Sequence, residues 1–237
     1  MAGAGRVLGV TWADVRWSTV LVIALDTSTP AVTAGLVVLD DGGPRSVAER
    51  VAVNPRAHGE LLMPHLLAAL DEAGRRLADV DAIVVGDGPG PFTGLRVGMV
   101  TAAALGQALD VPVHPVCGLD AIAVAAGHDG PLLVATDARR KEVYWAAYDA
   151  ARTRTGGPAV QRPADVPVDG YAVAAGESAE ALGLTAVEPR HPAPAGLVAV
   201  AAAELRAGAE PAPLVPRYLR RPDAAEPAPR KPVGGLR

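Results

Sequence analysis

The chain has 237 residues and a mass of 24.1 kDa, enough to bury a substantial core in one large domain or two small ones. Half of its residues are hydrophobic and its formal net charge is −4, which excludes both overall disorder and a surface that is mainly a basic nucleic-acid footprint. The longest uncharged runs, such as residues 97–109, are shorter than the roughly 18 residues of a membrane span. The single cysteine excludes disulfides within the chain and cysteine-based zinc sites. We therefore expect a soluble cytoplasmic protein with no membrane partner.

The first 19 residues do not continue the pattern of the rest of the chain. They lack clear periodicity, and they have neither the hydrophobic region nor the cleavage site of a signal peptide. Two interpretations stay open: translation begins near Val20 or Val22, which we favour, or residues 1–19 add a helix.

The next hundred residues alternate strands and helices. Two apolar runs, at 20–26 and 32–40, flank a Thr-Ser-Thr-Pro turn and predict a β-hairpin. Further strands are predicted near 45–53, at 81–86 and at 111–116. Helices are predicted over 58–77, 93–109 and 118–127.

A weak internal repeat relates the two halves of the chain. The segment LVIALD ends at Asp26 and LLVATD ends at Asp137, and each leads through a polar turn into a second apolar strand. This predicts a duplicated α/β fold with a first lobe at 20–127 and a second, smaller lobe at 128–221.

The second half has fewer signals. A strand, a turn and a helix are predicted within 168–182, and a last helix over 196–207. The tail at 222–237 is rich in Pro, Ala and Arg and is predicted to be disordered. A solvated tail is the default interpretation, and contact with RNA or an acidic partner is the alternative.

A glycine-rich segment, GDGPGPFTGLRVG at 86–98, joins a strand to a helix. Backbone N–H groups at such a junction can bind an anion. However, no Lys-Ser or Lys-Thr follows, the spacing is not Gly-x-Gly-x-x-Gly, and Pro89 and Pro91 remove two donors. The segment therefore favours a rigid connector over a phosphate-binding loop.

Five segments in order carry a family resemblance: LVIALDTST, HGELLMPHL, GPGPFTGLRVG, TDARRKEVYWAAY and PRYLRRPDA. With them, the chain from about Val20 to Ala224 resembles the TsaB (YeaZ-like) family. The resemblance implies an actin-like fold, of the acetate kinase, sugar kinase and Hsp70 (ASKHA) class, with two related α/β lobes. Pro91 stands where the family commonly has Ser, and Lys141 where it commonly has Gly.

The resemblance also implies a function, that of the non-catalytic dimerisation subunit of the bacterial complex that makes threonylcarbamoyladenosine at position 37 of tRNA. The complex transfers threonylcarbamoyl from threonylcarbamoyl-adenylate to N6 of adenosine 37. The implied partners are a TsaD-type transferase subunit, a TsaE-type ATPase and, through the complex, tRNA, with a homodimer as an option for the chain alone. No cofactor of its own is expected, since metal and nucleotide belong to the partner subunits.

Two features of the chain argue against catalysis. The related TsaD-type subunits hold a metal with two histidines four residues apart on a helix, whereas here Leu62 stands four residues after His58. His65 lies about 10 Å further along the helix than His58, too far to share one ion. The turns at the end of the first strand of each lobe, at 26–30 and 137–142, contain no glycine that would let the backbone approach a phosphate. The alternatives are a small actin-fold ATPase or kinase, or a metallopeptidase of the glycoprotease superfamily.

The same turns supply the candidate contacts to an anion or nucleotide. These residues equally suit solvated or structural turns, and both interpretations stay open. Residues 176–178 resemble what remains of an adenosine-binding turn. The candidate anion or nucleotide contacts are Asp26, Thr27, Arg139 and Arg140.

Small residues recur every four positions along the helix 93–109 and form one smooth stripe for close packing. The stripe could pack against the chain's own sheet, against the helix 58–77 or against a partner protein, and these alternatives stay open. The resemblance implies that TsaB-type chains associate through the two matching helices, so we expect a partner face there. The stripe consists of Gly94, Gly98, Ala102 and Gly106. The expected interface residues are His58, Glu60, Leu62, Leu66, Arg96, Met99 and Ala103.

Overall fold

The computed structural model describes residues 19–220, which contain two five-stranded mixed β-sheets with flanking helices. Residues 1–18 of the N-terminal extension and the tail at 222–237 lie outside the described residues. The interpretations of both segments stay predictions.

The first sheet has the strand order β3-β2-β1-β4-β5. Its strands are β1 (Val20–Asp26), β2 (Ala31–Asp40), β3 (Gly43–Val53), β4 (Ala82–Gly88) and β5 (Val113–Cys117). The second sheet has the order β10-β9-β6-β7-β8. Its strands are β6 (Leu132–Asp137), β7 (Val143–Tyr148), β8 (Arg154–Gln161), β9 (Val173–Ala175) and β10 (Thr185–Val187). The helices are α1 (His58–Glu72), α2 (Phe92–Leu109), α3 (Gly118–Ala125) and α4 (Pro194–Ala207).

The two sheets have the same topology. In each, the first strand is central, an antiparallel meander of two strands lies on one side, and parallel strands lie on the other. β6 therefore matches β1, and Asp137 matches Asp26 at the end of its strand. The duplicated α/β fold predicted from the repeat is confirmed.

The second copy is reduced. Where α1 and α2 cross over in the first copy, the second has only short 3-10 turns, at Pro163–Asp165 and Ala179–Leu182. The helix expected within 168–182 was wrong, because Gly176 and Gly183 have positive φ angles of 95° and 72° that bound a single short turn. Likewise α1 ends at Glu72 rather than at residue 77, just before Gly74 with a φ of 60°.

Side chains alternate across β1 and bury both faces of the first sheet. Leu21, Ile23 and Leu25 belong to the core beneath α1 and α2. Val20, Val22 and Ala24 point to the opposite face, where they pack with residues of α4 such as Leu197. The first sheet is thus covered by helices on both faces.

α4 follows the second sheet in the chain but packs against the first, beside α3. Leu119 and Ile122 of α3 in turn pack on the second sheet with Leu132 and Val134. The two helices therefore lie between the sheets and join the lobes. The exact lobe boundaries stay a prediction. None of the helices within residues 19–220 is long and apolar enough to cross a membrane.

Candidate functional site

The carboxyl group of Asp26, at the end of β1, is fully buried. It accepts hydrogen bonds from the backbone N–H and the hydroxyl of Ser28, both at 2.9 Å. Gly86 on β4 leaves it room, since a Cβ there would lie 1.8 Å from Oδ2 of Asp26. Burial raises the pKa of Asp26 to about 7, and the nearby Asp87 adds to this, although the Ser28 hydrogen bonds act in the opposite direction.

Thr27 fastens β1 to α2. Its hydroxyl donates to the carbonyl of Gly94 at 2.7 Å and accepts from the N–H of Gly98 at 3.0 Å, so it bridges the two ends of one helical turn. Only 1% of Thr27 is exposed. Neither Asp26 nor Thr27 is accessible to a ligand, so the expectation that they contact an anion or nucleotide is corrected: both side chains hold the fold together.

The stripe of small residues on α2 packs inside the chain, which was the alternative to a partner contact. A Cβ on Gly94 would lie 2.6 Å from the carbonyl oxygen of Thr27, and one on Gly98 2.5 Å from its hydroxyl. A Cβ on Gly106 would lie 2.3 Å from the Val113 side chain, and Ala102 is buried in the core under α2. The stripe lets α2 approach the turn after β1 and the first residue of β5.

Three of the expected interface residues lie in the core. Leu62, Leu66 and Met99 are at most 5% exposed and pack against the first sheet, so they cannot meet a partner in this fold. The expectation for these three is corrected. The apolar faces of α1 and α2 point inward at these positions because both helices cover the sheet.

The other expected interface residues are on or near the surface. Glu60, Arg96 and Ala103 are exposed. His58 is half-buried, and its Nε2 lies 2.8 Å from the carbonyl oxygen of Thr29, to which the protonated nitrogen donates. Their role in a partner interface stays a prediction.

Arg139 and Arg140 lie exposed on the turn between β6 and β7. Together with Lys141 they have positive φ angles of 61°, 53° and 62°, the left-handed region that side chains rarely adopt. The turn is held from both ends: the N–H of Arg139 donates to Asp137 at 2.8 Å, and Glu142 forms an ion pair with Arg220. The turn thus presents three cationic side chains to solvent. Its contact with an anion stays a prediction.

Sequence reasoning missed an ion pair between Asp87 and Arg217. The guanidinium donates to both carboxylate oxygens of Asp87, from Nε at 3.2 Å and from Nη2 at 3.0 Å. Burial raises the pKa of Asp87, although Arg217 acts in the opposite direction. The two residues are 130 positions apart, and the only signal was a carboxyl group placed between two glycines directly after a buried strand.

A second buried polar group lies beside α3. The Tyr148 hydroxyl donates to Asp120 at 2.6 Å, and Arg154 lies 3.7 Å from the same carboxylate. The contacts of Asp120 with Tyr148 and Arg154 join α3 to the second sheet.

The single cysteine is buried just before α3. Burial raises the pKa of the Cys117 thiol to about 11, so this cysteine is an unreactive core residue.

A cavity of about 520 Å³ opens between the end of β3 and residues 188–193. Its lining mixes exposed valines (Val51, Val53) with Glu177, Arg190 and His191. Of the residues 176–178, which resemble an adenosine-binding turn, Glu177 lines this cavity. The backbone N–H groups of Gly176 and Ser178 donate to the carbonyls of Pro189 and Ala135. The mixed lining indicates no single class of ligand.

Among residues 19–220, no three His, Cys, Asp or Glu side chains are grouped so that they could hold a metal ion. The expectation of no cofactor stays a prediction.

Comparisons with known proteins identify relatives across most of the chain. The family model described as TsaD, tRNA N6-adenosine threonylcarbamoyltransferase, matches residues 50–190. An uncharacterized protein of Mycobacterium tuberculosis is 56% identical over 212 residues, 89% of this chain and 95% of the relative. The tRNA threonylcarbamoyladenosine biosynthesis protein TsaB of Escherichia coli is 35% identical over 130 residues, 54% of each protein.

A solved structure extends the similarity to the whole fold. YeaZ from Pseudomonas aeruginosa superposes with a TM-score of 0.68 at 32% sequence identity, and the match covers 85% of this chain and 100% of that one.

Proposed function

The chain belongs to the TsaB/YeaZ-like family, and on that premise we propose that it takes part in the biosynthesis of threonylcarbamoyladenosine in tRNA. In this proposal it is a non-catalytic scaffold in the cytoplasm. It pairs with a TsaD-type transferase subunit, and the pair recruits a TsaE-type ATPase and binds tRNA. The assembled enzyme then transfers threonylcarbamoyl from threonylcarbamoyl-adenylate to N6 of adenosine 37.

Buried residues support the non-catalytic part of the proposal. Asp26, the acidic residue at the end of the first strand, is sealed inside the fold by Ser28 and Gly86. Leu62, which stands where a second metal-binding histidine would be needed, belongs to the core. Both positions serve packing, so the chemistry is assigned to the partner subunit.

The observation that carries the scaffold role is the outer face of α2. Arg96 is the single charged residue among its 18, and its outward residues include Val100, 65% exposed, with Ala103 and Ala104. Surfaces of low charge with protruding apolar side chains are typical of protein interfaces rather than of solvated helices. We assign this face to contact with the transferase subunit.

The substitution Ala103→Arg tests this assignment. Ala103 is exposed, so a long charged side chain leaves the fold intact but blocks close approach of a partner. We expect the variant to keep the wild-type melting temperature within about 2 °C and to lose co-elution with the TsaD-type subunit of the same organism. Ala203→Arg, the same change at an exposed position of α4, is the matched control and should co-elute normally. Wild-type affinity in Ala103→Arg would show that the face is wrongly assigned.

A further inference from the structure

Two aromatic rings and a guanidinium form an exposed cluster at the start of α2. The rings of Phe92 and Tyr218 are stacked with centroids 5.1 Å apart, and they are 40% and 38% exposed. The guanidinium carbon of Arg96 lies 3.8 Å from the centroid of the Phe92 ring. Its Nε donates to the Tyr218 hydroxyl at 3.2 Å. We call Phe92, Arg96 and Tyr218 the aromatic cluster.

Tyr218 reaches this cluster from the other end of the chain, on a segment without helix or strand that we call the strap (residues 214–220). The strap is anchored just before Tyr218, where the backbone N–H of Arg217 donates to the carbonyl of Asp87 at 2.8 Å and its guanidinium binds the Asp87 carboxylate. It is anchored again after Tyr218, where Arg220 donates to the carbonyl of Ala138 at 2.8 Å. Charge-assisted bonds of this kind are the stronger hydrogen bonds in proteins, so the position of Tyr218 is defined by both lobes.

The charge of the cluster restricts what can cover it. Arg96 carries the one charge of α2, so a partner that covers this face removes water from its guanidinium. Removing an unpaired charge from water is costly unless an opposite charge or strong acceptor replaces the solvent. Nε is already used by Tyr218, which leaves the terminal nitrogens in the fork geometry that matches a carboxylate.

We propose that the strap completes the partner-binding face, with Phe92 and Tyr218 as its aromatic anchor and Arg96 as the group that pairs with a carboxylate of the partner protein. Tyrosine and arginine are the residues that most often dominate the binding energy of protein interfaces. The inference rests on the proposed function for the identity of the partner and adds the chemistry of the contact. Arg217 is then a positioning residue, which acts through Tyr218.

The test measures the dissociation constant for the purified TsaD-type subunit of the same organism, together with the melting temperature of each variant. We expect Arg96→Glu and Tyr218→Ala to weaken binding about tenfold or more. Tyr218→Phe keeps the stacked ring and loses only the hydroxyl, so it should weaken binding less than Tyr218→Ala. Arg162→Glu, the same charge change at an exposed position of the second lobe, is the control and should bind as the wild type does.

The variant Arg217→Ala distinguishes a role of Arg217 in positioning Tyr218 from a role in the stability of the fold alone. It should lower the melting temperature because Asp87 loses its partner, and it should also weaken binding although Arg217 lies outside the cluster. Wild-type affinity in Arg96→Glu and Tyr218→Ala overturns the inference while the proposed function stands. A lower melting temperature in Arg217→Ala with unchanged affinity overturns the role of the strap. If the wild-type chain itself does not bind the transferase subunit, the proposed function fails, and the inference with it.

Discussion

Asp26 shows how one residue type changes its role when its surroundings change. Because Asp26 stands at the end of a strand before a polar turn, it was a candidate contact for an anion or nucleotide. Here Ser28 satisfies its oxygens and Gly86 lies against it, so the carboxyl group has no route to solvent. Its pKa of about 7 is the consequence of burial, and it makes the stability of the fold depend on pH.

The direction of this dependence follows from the two pKa values. The folded chain binds the Asp26 proton up to pH about 7, whereas an unfolded chain releases it near 3.8, the ordinary value. Between these values the folded state holds one more proton, so this carboxyl group lowers the free energy of unfolding as the pH rises and has no further effect above about 7. Asp26→Asn removes the titrating group but keeps an oxygen that accepts from Ser28.

We therefore expect the free energy of unfolding to fall less in Asp26→Asn than in the wild type as the pH rises from about 5 to about 8, a range that spans the Asp26 pKa. Urea unfolding at several pH values measures it. Asp165→Asn, at an exposed carboxyl group, should follow the wild-type curve. Parallel curves for Asp26→Asn and the wild type would contradict the burial of an ionisable Asp26.

Thr27 gives a second prediction at this scale. Thr27→Val keeps the shape of the side chain but removes the hydroxyl that bonds Gly94 and Gly98. We expect it to lower the free energy of unfolding by about 1–3 kcal/mol, because buried backbone groups lose their partner. Thr27→Ser keeps the hydroxyl and should cost less. Denaturant unfolding of both variants checks this, and a smaller loss in the valine variant than in the serine variant would refute the hydroxyl bridge.

At the scale of elements, α4 determines how the lobes are joined. It comes last in the described chain but covers the first sheet, where Leu197 is fully buried with Val22 and Leu39. We expect Leu197→Ala to lower the free energy of unfolding by about 2–5 kcal/mol, as in other large-to-small core substitutions. Ala203→Ser, on the exposed side of α4, should change it by less than about 0.5 kcal/mol. A similar small effect for both variants would mean that α4 is not part of the first core.

The elements that the sequence predicted well are those with long apolar runs. β1 and β2 and the helices α2 and α4 agree with the predictions to within about two residues, which is the usual uncertainty of helix ends. The strand β8 was missed because its sequence RTGGPAVQ has two glycines and a proline. β10 was missed because it is only three residues long, whereas β9, equally short, lies within 168–182, where a strand was predicted. Such strands form because the neighbouring strands and the duplicated topology provide their partners.

The candidate interface was harder to predict than the elements. The leucines of α1 occupy a wide stripe, and periodicity alone does not say which of them face the sheet: Leu62 and Leu66 do, whereas Leu67 is 52% exposed. The small residues of α2 were compatible with internal or external packing, and the position of Thr27 decided it. The pair Asp87 and Arg217 joins distant parts of the chain, which no local pattern reveals.

At the scale of the whole molecule, the two copies of the duplicated fold differ in their crossover elements. The first copy keeps full crossover helices and presents their outer faces, whereas the second copy replaces them with short turns and contributes the sheet that supports α3. The strap then ties both copies to the start of α2 through Asp87 and Ala138. This asymmetry fits a protein whose larger copy meets a partner, which is the role proposed above.

The most direct test of the proposed function is the amount of threonylcarbamoyladenosine in bulk tRNA, measured by nucleoside mass spectrometry after depletion of this protein in the organism that encodes it. We predict that the modification falls on depletion while synthesis of threonylcarbamoyl-adenylate continues. It should be restored by the wild-type chain and by Ala203→Arg, but not by Ala103→Arg. An unchanged level of the modification after depletion would contradict the proposed function.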